Sequence, residues 1–412
     1  MGPLQLRRAF NPDYLVVFIV FAFQTVSAFR HGVSTSYWVL FILGVWYLLR
    51  KKIGLQREIK IFALLLLVYL ACILPSYLYV DNWEGSLKQT RKILLLVLLP
   101  VFYHMFLVSK SRVQNLLLGS SLAGISFMAV ASYEVYVLGY PAAKGPYNQI
   151  MFGSMAVTSA LIALTWLLNA KYGWERIAAA GGGVLCLVSA VLSTSRGAWL
   201  GLMFGAVVVL LLNRPENARK RTLALASGGL LVAAIFFFVR DLVIERLAQA
   251  YTDFQLLISG TSMQTSLGQR WLMWKTALEM WMSSPIVGIG VGDYQYELAE
   301  KMSRGETDLG VLHGYAHNIY LEALATTGIV GLVGLLTALV VYPLTMYLRF
   351  YRRTSIGTEA NQGSVLGIMI TVVFAVFGLT ENWTAHSQLI MYFALMQAVC
   401  LSVIARNYDR SS

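Results

Sequence analysis

The sequence predicts an all-α polytopic membrane protein with about twelve transmembrane helices and one helical loop region outside the membrane. Two features of the composition support this class. Of the 412 residues, 58% are hydrophobic and only 13% are charged, whereas a soluble domain averages about 25% charged residues. The third observation is that the uncharged residues form long runs, each near the ~20 residues that a helix needs to cross a bilayer.

Twelve apolar runs follow one another along the chain. They lie near residues 14–29, 36–49, 60–79, 91–108, 114–138, 149–169, 177–193, 198–212, 222–239, 318–348, 363–380 and 386–405. The second run is short, so a tilted or partly interfacial helix is expected there. No small-residue cleavage site follows the first run, which is therefore expected to be a span and not a signal peptide. Three regions result: nine spans in residues 1–239, a loop region in 240–316, and three spans in 317–412.

The distribution of charge predicts the orientation of these spans. The side that carries both termini holds 20 of the 32 Lys and Arg residues but six of the 20 acids, whereas the opposite side has a slight acidic excess. Basic loops favour the cytoplasm, so both termini are expected to be cytoplasmic. The net charge of +12 is then a topology signal, and a nucleic-acid partner is not expected.

Residues 240–316 stand out as the long connection on the outer side. Two parts of it have helical patterning, residues 241–259 and 269–283. The second contains Trp271, Trp274, Met280 and Trp281 around charged residues. An aromatic-rich amphipathic helix of this kind is expected to lie in the plane of the membrane interface.

Two arginines on this outer side are candidates for binding an anion. Arg196 lies in a very short turn between the seventh and eighth spans, which puts it at the bilayer surface; a snorkelling arginine is the structural alternative. Arg270 is predicted near the N-terminus of an amphipathic helix, an end that prefers anions. A diphosphate held by backbone N–H groups and a guanidinium would resolve that conflict; an exposed loop arginine is the alternative.

His317 is the candidate catalytic residue. Imidazole is basic near neutral pH and can take a proton from a sugar hydroxyl that attacks as a nucleophile; a structural interfacial histidine is the alternative. His313 would lie one turn before His317 if the helix extends that far back, and would orient it. Tyr320 is a further candidate on the same segment, and Glu322 is expected to be a structural hydrogen-bond partner.

Other polar residues at the outer ends of spans are weaker candidates. Lys88 and Arg91, with Lys92 beside them, either mark a membrane boundary or form a track for an anionic headgroup. Asn148 is either a helix N-cap, which is favoured, or a ligand for a sugar hydroxyl. Glu134 and Glu381 are expected to pair with the arginines.

Several motifs are missing from the sequence. No DxD pair, P-loop, GxSxG or HExxH is present, and the three cysteines lie inside apolar runs without metal-ligand spacing. Neither a metal nor a cofactor is expected. A diphosphate would then be neutralised by arginines alone.

Three segments resemble one known family. They are SRGAWLG at 195–201, the stretch from Arg270-Trp to Pro285-x-x-Gly288-x-Gly290 and Tyr294, and AHNIYLEALATTGIVGL at 316–332. Together they are similar to the O-antigen ligase and polymerase superfamily. The resemblance covers roughly the second half of the chain.

This resemblance implies a bacterial inner-membrane glycosyltransferase with a twelve-span, GT-C-like helical fold. The family's donor is a glycan on undecaprenyl diphosphate. Ligases move the O-antigen to lipid A–core oligosaccharide at the periplasmic face, and polymerases move it to another lipid-linked unit. The family's arginines correspond to Arg196 and Arg270, and its essential histidine to His317.

The function expected from the sequence is that of an O-antigen ligase. Transfer would be metal-independent and inverting, with His317 as general base and the arginines binding the diphosphate. The alternative within the superfamily is an O-antigen polymerase. A protein-glycosylating relative is less favoured, because the sequence shows no further soluble segment after the last span. A transporter or flippase is the alternative of another class, but the mid-span regions lack the ionisable residues that it usually needs.

Overall fold

Helices make up all the regular structure in the described part of the chain. The computed structural model describes residues 28–29, 31–50, 54–109, 113–213, 240, 244–245, 247–260 and 263–408. Its helices are α1 Gly32–Arg50, α2 Arg57–Ile73, α3 Trp83–Leu94, α4 Leu99–Val108, α5 Val113–Ser132, α6 Gln149–Asn169, α7 Gly173–Leu192, α8 Arg196–Leu212, α9 Ser266–Ser283, α10 Tyr294–Ser303, α11 Ile319–Leu336, α12 Tyr342–Arg353, α13 Glu359–Gly378 and α14 Ser387–Tyr408. Residues 247–259 are also helical.

The predicted class of all-α polytopic membrane protein is confirmed. Within the described ranges, nine helical runs are long and apolar enough to cross a membrane, and α8 is a shorter apolar helix. Short 3-10 and π segments extend or join some of these runs, as at Leu74–Tyr79 and Thr337–Val341. Residues 14–27 and 222–239, which hold two predicted spans, lie outside the described residues, so the count of about twelve stays a prediction. The second predicted span is not short, because its helix has 19 residues.

The interior of the bundle is formed by α6, α13 and α14. The most apolar windows of these three spans are 83%, 89% and 94% buried, against 28% for α1 and for α2. Glycines allow close approach around this centre. A Cβ on Gly182 of α7 would overlap the backbone of Ser121 in α5. The peripheral helices therefore keep apolar side chains for contact with lipid, and the central ones pack on protein.

Helix α11 is broken at Gly328, which has φ +62°. Residues 285–290 pack against the break and pair with its backbone groups. Four hydrogen bonds join the two segments: Ile289 N to Ala325 O (3.0 Å), Gly290 N to Thr326 O (3.1 Å), Ile329 N to Pro285 O (3.0 Å) and Val330 N to Ile286 O (3.2 Å). Within a membrane-spanning helix, backbone groups freed by a break need such partners. A Cβ on Gly328 or on Gly288 would overlap the other segment.

Asp293 ties the same segment to the start of α3. Its carboxylate is almost fully buried and accepts hydrogen bonds from Asp81 N at 2.7 Å and Ser86 Oγ at 3.3 Å. Burial raises the pKa of Asp293, while the two backbone N–H groups of residues 81 and 82 oppose that rise. Residues 285–293 thus join α3 and α11.

Helix α9 corresponds to the predicted helix at 269–283, but it begins earlier, at Ser266. Its buried face includes Met273, Ala277 and Met280, which form a small second core with Tyr294 and Leu298. Helix α9 packs against α11. This packing fixes the position of Arg270 relative to the start of α11.

Candidate active site

His317 lies in the loop that leads into α11, in a left-handed backbone conformation with φ +49°. This conformation is uncommon outside glycine and persists where surrounding contacts hold it. The helix begins at Ile319, and Asn318 caps it by accepting hydrogen bonds from the amides of residues 320 and 321. The helix therefore does not extend back to His313, because His317 interrupts the helical path, and its start agrees with the run predicted from residue 318.

Contacts on both sides of Ala316 hold this conformation. The Ala316 N–H donates to Glu322 Oε2 at 2.8 Å, and Trp274 Nε1 donates to the Ala316 carbonyl at 3.1 Å. Glu322 belongs to α11 and Trp274 to α9. The prediction that Glu322 is a structural hydrogen-bond partner is therefore confirmed. The residue before His317 is thus held by both helices.

Glu381 anchors the His317 ring from the connection between α13 and α14. Its carboxylate is 1% exposed and lies 3.2 Å from His317 Nδ1. It also lies 3.5 Å from His386 Nε2 and accepts from Asn382 N at 2.9 Å. Burial alone would raise the pKa of Glu381, but hydrogen bonds and charge from the two histidines outweigh it and lower that pKa to about 2. The ion pair expected between Glu381 and an arginine is replaced by this contact with two histidines.

Aromatic and histidine rings surround His317. The Tyr315 ring centroid is 4.7 Å from that of His317, and its hydroxyl is 3.0 Å from His386 Nε2. The His313 ring centroid is 5.8 Å from that of His317. Burial and the neighbouring His317 lower the pKa of His313, which favours its neutral form. His313 is therefore close to His317 as expected, although the Nδ1 of His317 is oriented by Glu381.

Arg196 is the first residue of α8, and Ser195 caps that helix. A Cβ on Gly197 would overlap the Thr380 side chain, so glycine lets the start of α8 approach the connection that carries Glu381. The Arg196 guanidinium lies 3.6 Å from the carboxylate of Asp253, in the helical segment 247–259. Arg196 thus has an acidic partner in segment 247–259, and its charge also acts on Arg270.

Arg270 lies just after the first turn of α9, close to both Glu381 and Arg196. Burial lowers the pKa of Arg270, the charge of Glu381 opposes that change, and the charge of Arg196 adds to it. Across the described ranges, no carboxylate comes within ion-pair distance of Arg270. The structure therefore brings Arg196, Arg270 and His317 into one region, although their sequence positions span more than a hundred residues.

Comparisons with known proteins bear on this same region. Residues 181–336 match the family described as O-antigen ligase. This part of the chain is similar to the O-antigen ligase family. The match runs from within α7 to the end of α11 and includes all three of Arg196, Arg270 and His317. The O-antigen ligase family includes both ligases and polymerases.

Two relatives extend this finding. A Haemophilus influenzae protein described as uncharacterized is 23% identical over 390 residues, which are 91% of this chain and 94% of that protein. The exopolysaccharide production protein ExoQ of Rhizobium meliloti is 29% identical over 196 residues. That match covers 47% of this chain and 43% of the relative.

The weaker candidates lie before the matched residues 181–336, except Tyr320, which lies within them. Lys88 and Arg91 are exposed on α3, whereas Lys92 turns inward and donates from Nζ to the Ala385 carbonyl at 2.7 Å. Asn148 is the N-cap of α6, as favoured from the sequence. Tyr320 donates its hydroxyl to the Ala375 carbonyl at 2.7 Å, a contact that joins α11 to α13.

Sequence reasoning missed three side chains at this site, which contact Ala316, Glu381 and Arg196 respectively. Trp274 was assigned to the membrane interface, but its indole holds Ala316. His386 lies five positions after Glu381 in a short polar connection between two apolar runs, a signal that could have identified it. Asp253 carried no such signal, because nothing in the sequence shows that segment 247–259 approaches Arg196.

Proposed function

We propose that this chain is an O-antigen ligase of the bacterial inner membrane. Its donor would be O-antigen glycan on undecaprenyl diphosphate and its acceptor lipid A–core oligosaccharide, at the periplasmic face, with both termini in the cytoplasm. The observation that supports the proposal is the pairing of His317 with a buried carboxylate, beside an arginine whose charge interacts with that carboxylate and with Arg196.

The Glu381–His317 pair suits general base catalysis. When Nδ1–H donates to the carboxylate, Nε2 carries the free lone pair of the neutral imidazole. Nε2 would take the proton of the acceptor hydroxyl while the oxygen of that hydroxyl bonds to the anomeric carbon of the donor glycan. The bond from that carbon to the lipid diphosphate oxygen breaks, and the leaving group departs as an anion. Attack from the opposite face inverts the anomeric configuration.

The two arginines would stabilise the leaving diphosphate. Guanidinium groups match phosphate oxygens in geometry and remain charged. One well-placed donor to a developing anion contributes about 3 kcal/mol in other enzymes. Arg270 is the better-placed of the two, because it is partly buried and has no carboxylate in ion-pair distance within the described residues. Arg196 would exchange Asp253 for the donor.

An O-antigen polymerase remains the second candidate. The O-antigen ligase family includes polymerases, and the similar ExoQ protein is named for exopolysaccharide production. A polymerase would use the same donor and the same leaving group, with a lipid-linked repeat unit as acceptor. The product, and not the geometry of the cations, distinguishes these two reactions.

Reconstitution of the purified chain with lipid-linked glycan and lipid A–core tests the proposal. Glycan joined to the core supports a ligase, longer lipid-linked glycan supports a polymerase, and coupled solute uptake without transfer supports a transporter. His317→Ala should lower the transfer rate by roughly 10²- to 10⁴-fold, and EDTA should leave it unchanged.

Substitution of the cations supplies a matched comparison. Arg270→Ala should lower transfer by about 100-fold. Lys275→Ala changes a cation on the same helix that is 61% exposed and pairs with Glu279, so it should leave the rate within about two-fold. Equal losses in the two variants, or a near wild-type rate in His317→Ala, would reject the proposed roles.

A further inference from the structure

A second basic cavity lies between α2 and α12, at the far end of the long helical run Ile319–Arg353 from His317. It has a volume of about 270 Å³ and is lined by Arg57, Glu58, Ile61, Tyr342, Met346, Arg349, Phe350 and Arg353. Tyr342 donates its hydroxyl to the Glu58 carbonyl at 2.7 Å, which holds the two helices together beside the cavity. The site is thus formed by the packing of two helices.

The charge of this cavity favours an anion. Three arginines and one glutamate line it, which leaves a net positive charge. In the part of the chain that the structure describes, none of these arginines has a carboxylate within ion-pair distance. The N-terminus of α2, which starts at Arg57, has no side-chain cap. Uncapped amides and free guanidinium groups together suit a phosphate group.

The pattern along the two helices favours a lipid over a free ion. Positions 57, 61, 64 and 68 share one face of α2, and positions 342, 346, 349 and 353 share one face of α12. On each helix, arginine lies at the end and apolar residues follow toward the middle of the span. Leu64 and Val68 are exposed, at 58% and 42%. A phosphate held by the arginines would place an acyl chain along these residues.

We propose that this cavity binds the phosphate of an anionic phospholipid headgroup. The volume is slightly below the ~300 Å³ lower bound of ordinary ligand pockets, which suits a headgroup better than a larger ligand. Basic pockets between membrane helices bind such headgroups when they face an anionic leaflet. The predicted topology puts this end of α12 in the cytoplasmic leaflet, away from the proposed transfer site. The inference does not depend on the proposed function.

Native mass spectrometry of the full chain in a neutral detergent tests this binding. Titration with dioleoyl phosphatidylglycerol should give saturable binding, and dioleoyl phosphatidylcholine should bind more weakly. The double variant Arg349→Gln/Arg353→Gln should weaken phosphatidylglycerol binding about 30-fold, and each single variant about five-fold. Arg352→Gln is the matched control. It is an exposed arginine in the same turn that does not line the cavity, and its effect should stay within about two-fold.

Competition with inorganic phosphate distinguishes a lipid headgroup from free phosphate as the ligand. Lipid as the ligand predicts that phosphate competes poorly with phosphatidylglycerol. Phosphate alone as the ligand predicts full competition, with the same losses in the arginine variants. Three results would overturn the proposal: full competition by inorganic phosphate, wild-type binding in the double variant, or an equal loss in Arg352→Gln. Melting temperatures in neutral detergent should match for all variants, because the substituted side chains are exposed.

Discussion

Substitution of Glu381 by glutamine tests the physical basis of the proposed active site. The amide keeps the shape of the side chain but removes its charge. In the wild-type chain this carboxylate is 1% exposed and lies 3.2 Å from His317 Nδ1. The glutamine side chain can direct its NH₂ group toward the imidazole, which would disfavour the tautomer that leaves Nε2 free as a base.

The expected loss follows from the contact that is removed. A hydrogen bond to a charged group contributes about 1.5–3 kcal/mol, and each 1.36 kcal/mol of barrier is a factor of ten in rate. Glu381→Gln should therefore lower kcat roughly 10- to 150-fold. Binding of the donor should change much less, because Glu381 does not face the diphosphate directly in the proposed arrangement.

The assay is steady-state glycan transfer by the reconstituted protein over a range of donor concentrations. Glu381→Gln should lower kcat and leave the KM for the donor nearly unchanged. A general disturbance of the site would change both constants. Glu134→Gln is the matched control, since Glu134 is a buried carboxylate that accepts hydrogen bonds from the amides of Lys144 and Gly145. A wild-type kcat in Glu381→Gln, or a KM for the donor that rises as much as kcat falls, would refute the reasoning.

Three further predictions concern stability and donor binding. Gly328→Ala should destabilise the protein by about 2 kcal/mol or more, seen as a lower melting temperature, because φ is +62° and a backbone oxygen blocks the added Cβ. The control Gly181→Ala meets open space and should leave stability unchanged or higher. Equal effects of the two substitutions would contradict this reasoning. Asp253→Asn should lower the KM for the donor about two- to five-fold, because a partly exposed ion pair contributes up to ~1 kcal/mol and Arg196 would lose its competing anion; an increase in KM would contradict it. Because the pKa of Glu381 is lowered, its carboxylate should stabilise the folded state above pH 4.5, and this contribution should be lost as pH falls toward about 2. The difference in unfolding free energy between wild type and Glu381→Gln, measured by urea unfolding, should shrink as pH falls between these two values.

The fold class was predictable because it depends on composition along single helices. Apolar runs of about twenty residues have few alternatives in a bilayer, and ten of the twelve predicted runs correspond to described helices or helical runs. Helix ends were less predictable. The helix predicted from residue 269 begins at Ser266, whereas the run predicted from residue 318 begins at Ile319, after the Asn318 cap.

The candidate residues were predictable only by type and by position near the membrane surface. Arg196, Arg270 and His317 stood out because cations and imidazoles are costly at the end of an apolar run. Nothing in the sequence indicated that Glu381 would contact His317 and not an arginine, or that Asp253 would pair with Arg196. Such pairings depend on how helices from distant parts of the chain pack.

The sequence by itself determined that this chain is helical, crosses a membrane many times and gathers polar residues at the ends of its spans. These properties follow from the local free energy of transferring each segment from water to lipid. Only the tertiary structure decided which polar residues meet, because those contacts depend on glycine-permitted approach, on the break at Gly328 and on the segment that fills it. Hydrophobicity acts on each helix separately. The site, by contrast, requires four segments to be positioned together: the start of α8, helix α9, the loop before α11 and the connection between α13 and α14.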